Sequence, residues 1–309
     1  MCIPNICSTF VPDMILYPNC KINLGLRVVR KRPDGYHDLE TIFVPIYGLH
    51  DELEVIINDE MSAATPLNDG LIFHQEGIAV DCPAEDNLII KCYRQMKAKY
   101  PQIGDVAVRF KKNIPFGAGL GGGSSDAAHM AVALNELFAL GLSKAQLAAE
   151  VASLGADCAF FVYNVPCFAE GIGDQLTPIE LDLKGTRIVM IKPDEGVSTK
   201  EAYSGIQIMD NGQWTMDKNV SADLIAHCNE LFINDFEATV FPKHPIIADI
   251  KKRLLDAGAY YASMSGSGST VFGFFKNDPE GCTDANLAAL KQQFASMVLL
   301  DDTFGEWKA

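Results

Sequence analysis

A glycine-rich stretch, Pro115-Phe-Gly-Ala-Gly-Leu-Gly-Gly-Gly-Ser-Ser-Asp-Ala-Ala128, runs directly into an alanine-rich amphipathic segment and constrains the fold more than any other feature. Its glycines lack a Cβ and tolerate positive φ, so the backbone can approach a bulky ligand closely. The first N–H groups of the following helix have no partner within the helix and together carry about half a positive charge. The stretch is therefore predicted to bind a phosphate at a helix N-terminus.

The letters of this stretch do not by themselves identify the phosphate. Gly117-x-Gly119-x-x-Gly122 satisfies the dinucleotide-binding pattern, but that pattern directly follows a strand. Here several residues, Asn113 to Phe116 among them, separate the first glycine from the predicted strand Val106 to Lys111. No Gly-Lys-Ser or Gly-Lys-Thr follows, so the stretch is not a Walker A loop. A glycine-rich turn that only joins two elements remains the structural alternative.

Composition limits the class of protein. The 309 residues suffice for two domains, and 48% hydrophobic content without a membrane-length apolar run is typical of globular proteins. The net charge of −15 argues against nucleic-acid partners and anionic membranes. Any phosphate must therefore be attracted by a local basic patch, and the candidates are Arg27, Arg30, Lys31 and Arg32 or Lys111 and Lys112. Nine cysteines without a Cys-x-x-Cys pair indicate a reducing compartment. Because the N-terminus carries no secretory signal, we expect a cytoplasmic protein.

Hydrophobic periodicity predicts a mixed sheet with helices on one side in the first half of the chain. The second half, with extra helices set aside, has the order βαββαβ of a split βαβ domain. We place the boundary near Thr177-Pro178, giving an N-terminal domain over residues 14–177 that contains the glycine-rich stretch, a C-terminal domain over 178–309 and a disordered leader over 1–13. Strands are predicted at 15–29, 39–46, 52–57, 71–74, 78–80, 106–111, 187–192, 260–264, 270–275 and 297–300. Helices are predicted at 87–99, 125–140, 144–154, 222–231, 245–257 and 284–294, with a short one after Ser198.

Two charged residues stand where the surrounding sequence predicts burial. Lys21 lies on the first strand between Cys20 and Ile22, and an inward-facing lysine would need an anionic partner. Asp157 lies just beyond a helix end in Gly155-Ala-Asp-Cys-Ala-Phe-Phe161, and a buried aspartate is rare without a partner. A kinase needs one group that offsets phosphoryl charge and one that orients or deprotonates the acceptor hydroxyl. A solvated lysine on an edge strand and a helix-capping aspartate are the alternatives.

Two loops carry further candidates. Tyr36-His37 follows the turn Pro33-Asp34-Gly35 and places an aromatic ring beside a hydrogen-bonding ring, which suits stacking on a base and recognising its edge. Gly266-Ser267-Gly268 is a second small-residue loop, whose backbone amides can hold a phosphate. A tight hairpin turn without a ligand is the alternative for this second loop.

Taken together, these motifs resemble those of a known family. The glycine-rich stretch is similar to the signature of the GHMP kinases, the superfamily of galactokinase, homoserine kinase, mevalonate kinase and phosphomevalonate kinase. The likeness covers about Met14 to the C-terminus. The segments that resemble the 4-diphosphocytidyl-2-C-methyl-D-erythritol kinases specifically are Lys21-Ile-Asn23, Arg32-Pro-Asp-Gly-Tyr-His-Asp-Leu-Glu-Thr41, Gly155 to Phe161, Asn234-Asp-Phe-Glu237 and Ser265-Gly-Ser-Gly268.

The resemblance implies an α+β, two-domain GHMP kinase fold. A ribosomal protein S5 domain 2-like N-terminal domain would precede a ferredoxin-like split βαβ C-terminal domain. The implied activity is ATP-dependent phosphorylation of the 2-hydroxyl of 4-(cytidine 5′-diphospho)-2-C-methyl-D-erythritol, in non-mevalonate isoprenoid precursor biosynthesis. Magnesium would arrive with ATP rather than bind a dedicated protein site, and the enzyme would be a monomer or a weak homodimer.

The resemblance also implies a role for each matching residue. Asp157 would accept the proton of the acceptor hydroxyl, and Lys21 would orient Asp157 and stabilise charge on the transferred phosphoryl group. Tyr36 and His37 would hold the cytosine, and Asn23 would contact the substrate near the acceptor hydroxyl. The ATP phosphates would be wrapped by Pro115, Gly117, Gly119, Leu120, Gly121, Gly122, Gly123, Ser124 and Ser125. The active site would be closed by Gly266, Ser267 and Gly268.

Two features depart from the family pattern, and two alternatives stay open. Pro18-Asn-Cys-Lys21 replaces the usual Ala-Pro-Ala-Lys and puts a thiol beside the lysine, while Asp126 adds a carboxylate that must point away from any phosphate. The nearer alternative is a sister kinase for mevalonate or homoserine, acceptors that have no base to stack. The other is a nucleotide-binding regulator without catalytic activity.

Overall fold

The computed structural model describes residues 13–57, 69–79, 83–208, 219–227, 229–276 and 282–305. The expected leader lies outside these ranges except for Asp13, which begins the first strand. Part of the predicted strand at 78–80 also lies outside them. The elements of the first half are β1 (Asp13–Leu16), β2 (Asn19–Lys31), β3 (His37–His50), β4 (Glu52–Ile57), β5 (Leu71–Gly77), α1 (Leu88–Lys99), β6 (Val106–Lys112), α2 (Gly122–Leu137), α3 (Lys144–Val151), α4 (Cys158–Tyr163), β7 (Cys167–Glu170) and β8 (Gln175–Pro178).

The strands of the first half form two four-stranded sheets, ordered β1-β4-β6-β5 and β2-β3-β7-β8, so the prediction of one mixed sheet is wrong. The chain passes between these sheets three times, once through helices α2 to α4 and twice through a short break between strands. Pro18, which has no N–H to donate to a strand ladder, separates β1 from β2. Asp51 separates β3 from β4, and its N–H donates to the carbonyl of Pro18 at 2.9 Å. The two short crossings therefore lie side by side.

Helix α2 is the centre of the first hydrophobic core. It begins at Gly122, three residues before the predicted start at Ser125, and its alanines are buried. Their small side chains allow α1 and α4 to pack closely on α2, with Tyr93 of α1 and Phe160 of α4 in the same core. Since a fully buried large apolar side chain contributes about 1.5–3 kcal/mol, this core holds the N-terminus of α2 and the glycine-rich stretch before it.

The second half contains an antiparallel sheet ordered β12-β13-β10-β14, which is the arrangement of the predicted split βαβ domain. A short parallel pair, β9 with β11, lies outside that sheet. The elements are β9 (Glu180–Asp182), β10 (Arg187–Ile191), α5 (Thr199–Tyr203), β11 (Asn219–Ser221), α6 (Ala222–His227), α7 (Glu237–Val240), α8 (Pro245–Asp256), β12 (Tyr261–Met264), β13 (Val271–Phe275), α9 (Cys282–Gln293) and β14 (Val298–Thr303).

The two halves share a hydrophobic core. Ile22 and Leu24 of β2 pack in one cluster with Ile188 of β10 and with Phe272 and Phe274 of β13. Strand β2 is therefore held from the C-terminal half as well as by its own hairpin partner. Among the described helices, none combines the length and the apolar character that a membrane span requires.

One ion-pair cluster joins β10 to the edge strand β14. The Arg187 guanidinium donates to both oxygens of Asp301 at 2.7 and 2.9 Å, and Lys291 of α9 contacts the same carboxylate. The hydrogen bonds from Arg187, which outweigh partial burial, and then those from Lys291 lower the pKa of Asp301.

We expect Asp301→Asn to lower the free energy of unfolding by about 1–2 kcal/mol at pH 7, because it removes the carboxylate charge that both Arg187 and Lys291 contact. The folded pKa lies below the unfolded value of about 3.9, so the stabilisation is complete above that pH and is lost as pH falls through the folded pKa. Denaturant unfolding at several pH values measures both effects. As a control, Asp256→Asn removes an exposed pair with Lys252 and should change stability by less than about 0.5 kcal/mol. Equal losses in the two variants would contradict the stabilising role of Asp301.

Candidate active site

Lys21 and Asn23 lie two residues apart on β2, so their side chains share one face of the strand. Lys21 is only 4% exposed. Its ammonium donates to Asn23 Oδ1 at 2.6 Å and to the carbonyl of Gly119 at 3.1 Å, and it lies over the ring of Phe43. Lys21 is therefore a fixed buried cation, and the alternative of a solvated edge-strand lysine is wrong.

Asp157 completes an ion pair with this lysine. Its Oδ2 lies 3.4 Å from Lys21 Nζ, and its side chain is 26% exposed. It faces a cavity that Lys21 and the glycine-rich stretch also line. Asp157 occupies the N-cap position of α4, but its carboxylate caps no backbone N–H. The buried residues Cys158 and Phe160 anchor the following turn in the core. The carboxylate is thus held at the cavity wall with no capping role.

Asn23 uses its amide within the protein. Its Oδ1 accepts from Lys21, and its Nδ2 donates to Thr41 Oγ1 at 3.0 Å. The geometry therefore favours a role in orienting Lys21 over a direct substrate contact, although Asn23 also lines the cavity.

We define residues 115–125 as the phosphate loop. At three of its glycines, neighbouring protein atoms leave no room for a Cβ. A Cβ on Gly119 would lie 2.0 Å from the carbonyl oxygen of Ser265. A Cβ on Gly121 would lie 2.9 Å from the ring of Phe161, and one on Gly122 would lie 2.9 Å from Ile114. The sequence argument that these glycines clear space for a ligand therefore does not apply to these three.

The other two glycines leave open space. A Cβ on Gly117 would meet nothing within 4 Å, although φ is +62° there, and one on Gly123 would meet only Leu88 at 3.6 Å. Both residues line the cavity. No side chain caps the start of α2, so its first N–H groups are available to an anion.

The remaining predicted residues of the phosphate loop divide into two groups. Pro115, Leu120 and Ser124 line the cavity. Ser125 does not, because it is fully buried and its hydroxyl lies 3.3 Å from the ring of His129. Phe116, to which the sequence analysis assigned no role, is 69% exposed and lines the same cavity.

The second glycine loop, residues 265–269, is the hairpin turn between β12 and β13, and it also lines the cavity through Gly266, Ser267 and Gly268. Ser265 Oγ donates to the Gly119 carbonyl at 2.9 Å, and the N–H of Thr270 donates to the Ala118 carbonyl at 3.3 Å. The two glycine loops therefore pack directly on each other.

The aromatic side of the cavity contains more rings than the sequence analysis identified. Tyr36 is 63% exposed, while the ring of His37 stacks on Tyr203 with centroids 4.7 Å apart. Tyr203 in turn meets Phe236 edge-on, also at 4.7 Å. Burial, and then the charge of Asp157, raise the pKa of the Tyr203 hydroxyl. These rings therefore lie close to the Lys21–Asp157 pair.

A second buried charge cluster lies beneath the phosphate loop. Lys112 contacts the carboxylates of Asp51 and Asp126, and Asp51 accepts the N–H groups of Asn113 and Ile114 at 2.6 and 2.8 Å. Burial raises the pKa of Asp126 well above its ordinary value, although Lys112 lowers it. Burial acts to lower the pKa of Lys112, but Asp126 and Asp51 outweigh that effect and raise it. Asp126 thus points away from the cavity, and Lys112 ties both ends of the loop together.

Three of the other cations expected to attract a phosphate are paired with acids. Arg30 contacts Asp38, Arg32 contacts both Asp34 and Asp38, and Lys111 contacts Glu52. These partners cancel much of the positive charge, as Asp51 and Asp126 do for Lys112, whereas the N–H groups at the start of α2 remain available to an anion. The thiol of Cys20 is fully buried in the shared core, and burial raises its pKa.

One cavity of about 730 Å³ is lined by the Lys21–Asp157 pair, Lys112, most of the phosphate loop, the second glycine loop and the rings of Tyr36, His37, Tyr203 and Phe236. The sequence analysis did not assign roles to Phe116, Tyr203 and Phe236 in it. The sequence shows an aromatic residue between Pro115 and Gly117, which could have indicated a role for Phe116. No motif around Tyr203 indicates a role for that residue. Within the described ranges, no three His, Cys, Asp or Glu side chains lie close enough together to hold a metal ion.

Two family models match the chain. The model for the GHMP kinases N terminal domain matches residues 87–165, which include the phosphate loop and Asp157. The model for the GHMP kinases C terminal matches residues 220–288, which include the second glycine loop.

Related proteins and solved structures agree with these matches. A 4-diphosphocytidyl-2-C-methyl-D-erythritol kinase of Bacteroides thetaiotaomicron is 47% identical over 268 residues, 87% of this chain and 93% of that protein. The kinase of the same name from Porphyromonas gingivalis is 40% identical over 86% of this chain and 94% of its own length. A crystal structure of 4-(cytidine 5′-diphospho)-2C-methyl-D-erythritol kinase, 30% identical, superposes with a TM-score of 0.70 over 90% of this chain and 96% of its own.

A homoserine kinase from Cytophaga hutchinsonii superposes with a TM-score of 0.68 over 97% of this chain and 96% of its own, but it is only 15% identical and so shows the fold alone. By contrast, the sequence identity to the two 4-diphosphocytidyl-2-C-methyl-D-erythritol kinases extends over almost their whole length. This chain belongs to the 4-diphosphocytidyl-2-C-methyl-D-erythritol kinase family of the GHMP kinases, and it is an ATP-dependent small-molecule kinase.

Proposed function

We propose that this kinase transfers the γ-phosphoryl group of ATP to the 2-hydroxyl of 4-(cytidine 5′-diphospho)-2-C-methyl-D-erythritol, a step in non-mevalonate isoprenoid precursor biosynthesis. The observation that carries the proposal is the Lys21–Asp157 pair, 3.4 Å apart and facing a cavity shared by the phosphate loop and the aromatic rings. The names of the similar kinases support the choice of acceptor.

The cavity fits ATP at the phosphate loop. The uncapped start of α2 offers N–H donors, Gly117 and Gly123 leave room for phosphate oxygens, and the Lys112 ion-pair cluster holds the loop in place. Magnesium bound to the phosphates would neutralise charge on the transferred group. Ser124 lines the cavity and would offer a hydroxyl oxygen, and we propose that the ion otherwise keeps water and phosphate ligands.

Asp157 would act on the acceptor hydroxyl. Its Oδ2 faces Lys21, which leaves Oδ1 to accept the hydroxyl hydrogen bond and then the proton as the oxygen attacks phosphorus. Lys21, held by Asn23 and the Gly119 carbonyl, orients that carboxylate and places a positive charge beside the transferred group. Positioning and electrostatic stabilisation by these fixed groups supply the catalysis.

The aromatic side would bind the cytidylated part of the acceptor. Tyr36 is exposed to the cavity and can stack on the cytosine, while Tyr203 fixes the ring of His37 so that its free edge can recognise the base. Acceptors of the mevalonate and homoserine kinases have no base, so these rings favour the cytidylated substrate over that alternative. Retention of both Lys21 and Asp157 argues against a regulator without catalytic activity.

The remaining parts of the proposal concern the setting of the enzyme. We place it in the cytoplasm, as a monomer or weak homodimer that does not bind nucleic acid. The net charge of −15 supports the last point, because a strongly acidic protein is repelled by the phosphate backbone.

Replacing the proposed base tests the chemistry. We expect Asp157→Asn to lower kcat by roughly 10²–10⁴-fold, because the amide cannot take the hydroxyl proton. Its affinity for ATP, measured by calorimetry, should stay close to that of the wild type. Steady-state assays with the cytidylated acceptor measure kcat. Turnover like that of the wild type would refute the role of Asp157.

Replacing the proposed base-recognition residue tests the acceptor. We expect His37→Ala to raise KM for the cytidylated acceptor at least about tenfold, equivalent to the loss of about 1.4 kcal/mol of binding, with little change in KM for ATP. His74→Ala on the exposed face of β5 is a matched control and should change neither constant. Equal increases in both KM values for the His37 variant would contradict the cytosine role.

Two glycine substitutions separate packing from ligand binding. Gly119→Ala forces a methyl group against the Ser265 carbonyl at a φ of +75°, so we expect it to lower stability by more than about 1 kcal/mol and to lower activity. Gly123 lies within α2, and Gly123→Ala adds only an ordinary contact with Leu88 of α1. The stability of this variant should therefore be unchanged or higher. If phosphates occupy the loop, Gly123→Ala should nevertheless raise KM for ATP and reduce the rise in melting temperature caused by MgATP. Normal ATP binding by that variant would contradict the assignment of Gly123.

A further inference from the structure

The segment Ile233 to Glu237 lies between two strands that carry different parts of the active site. On one side it pairs with β2, where the N–H of Leu26 donates to the Ile233 carbonyl at 2.9 Å and the N–H of Asp235 donates to the Leu26 carbonyl at 2.8 Å. The Asp235 carboxylate also accepts the N–H of Val28 at 2.8 Å. The segment is therefore tied to the strand that holds Lys21.

On its other side the same segment holds β12 and the second glycine loop. Asn234 Nδ2 donates to the carbonyls of Met264 and Gly266 at 2.7 and 2.8 Å, and its Oδ1 accepts the N–H of Phe236 at 3.0 Å. Glu237 accepts the N–H of Met264 at 2.9 Å. Asn234 is 2% exposed, and both polar atoms of its side chain are hydrogen-bonded within the protein.

From Gly266 the contacts lead directly to the catalytic pair. A Cβ on Gly266 would lie 3.2 Å from the Gly119 carbonyl oxygen and 3.3 Å from Asn23 Oδ1, which are the two acceptors of the Lys21 ammonium. Displacement of the second glycine loop would therefore move the groups that hold Lys21 against Asp157.

Phe236 connects the segment to the other end of the cavity. Its ring packs against Tyr203, on which His37 stacks. Asn234 and Phe236 are two residues apart, yet one contacts the phosphate side of the cavity and the other contacts the aromatic side.

We infer that Asn234 is a positioning residue for phosphoryl transfer, and that Phe236 is a positioning residue for the acceptor base. This inference rests on the function proposed above. Asn234 fixes the second glycine loop on Gly119 and so fixes the Lys21 ammonium. Phe236 fixes Tyr203 and so fixes the ring of His37.

The test compares kcat and KM for the acceptor in two variants, one at Asn234 and one at Phe236. Asn234→Ala should lower kcat by roughly 10–100-fold, because a displacement of about 1 Å at a reacting group costs up to about 10²-fold, and should change KM for the acceptor less than about threefold. Phe236→Leu should raise KM for the acceptor at least about fivefold and leave kcat within about twofold. A general loss of folded protein would lower apparent kcat in both variants and leave both KM values unchanged.

Asn135→Ala is the matched control. Asn135 is also a buried asparagine that braces a loop, since it exchanges hydrogen bonds with the N–H and carbonyl of Leu142, but it lies near the far end of α2. It should lose stability and retain kcat. If Asn234→Ala does not fold, Asn234→Asp keeps the shape and the acceptor for the Phe236 N–H, removes the amide donors and should show the same loss of kcat.

The outcomes separate this inference from the proposed function. A wild-type enzyme active on the cytidylated acceptor, with normal kcat in both Asn234 variants or an equal loss in Asn135→Ala, would overturn only the positioning role. A wild-type enzyme inactive on that acceptor would refute the proposed function. The loop connection would then be tested by calorimetric affinity for an ATP analogue, which should fall in Asn234→Ala and not in Asn135→Ala; an unchanged affinity would overturn it.

Discussion

The active site depends on the contact between the backbone of Gly119 and the carbonyl oxygen of Ser265. No Cβ fits there, since it would lie 2.0 Å from that oxygen. The Gly119 carbonyl then accepts hydrogen bonds from the Lys21 ammonium and the Ser265 hydroxyl. One peptide group thus joins the phosphate loop, the second glycine loop and the lysine of β2, which come from three distant parts of the chain.

The buried charges are arranged in neutralising clusters around this contact. Lys21 is paired with Asp157, and Lys112 is paired with Asp51 and Asp126. Burial makes an isolated charge costly, whereas a pair with further hydrogen bonds is tolerated and held in one orientation. Fixed charges of this kind stabilise phosphoryl transfer more effectively than mobile surface groups. In a protein of net charge −15, the uncapped N–H groups at the start of α2 can attract a phosphate without an unpaired cation.

Local patterns were sufficient for most elements and failed where contacts are non-local. The helix that begins at Lys144 and the βαββαβ order of the C-terminal half were predicted, and both are present. The division of the first half into two sheets was not predicted, because Pro18 and Asp51 cross between the sheets only in three dimensions. Helix α4 was not predicted either. Its six residues are nearly all hydrophobic, so the segment shows no helical alternation of apolar and polar residues.

The sequence by itself determined the family, the phosphate loop and the catalytic candidates Lys21 and Asp157, because each stands in a motif that needs only neighbouring residues to be recognised. The tertiary structure decided which glycines serve packing, that Lys112 lies beneath the loop, and that Tyr203 and Phe236 support His37. These facts depend on distances between residues far apart in the chain. Burial and contact across such separations exist only once the two halves have packed on their shared core.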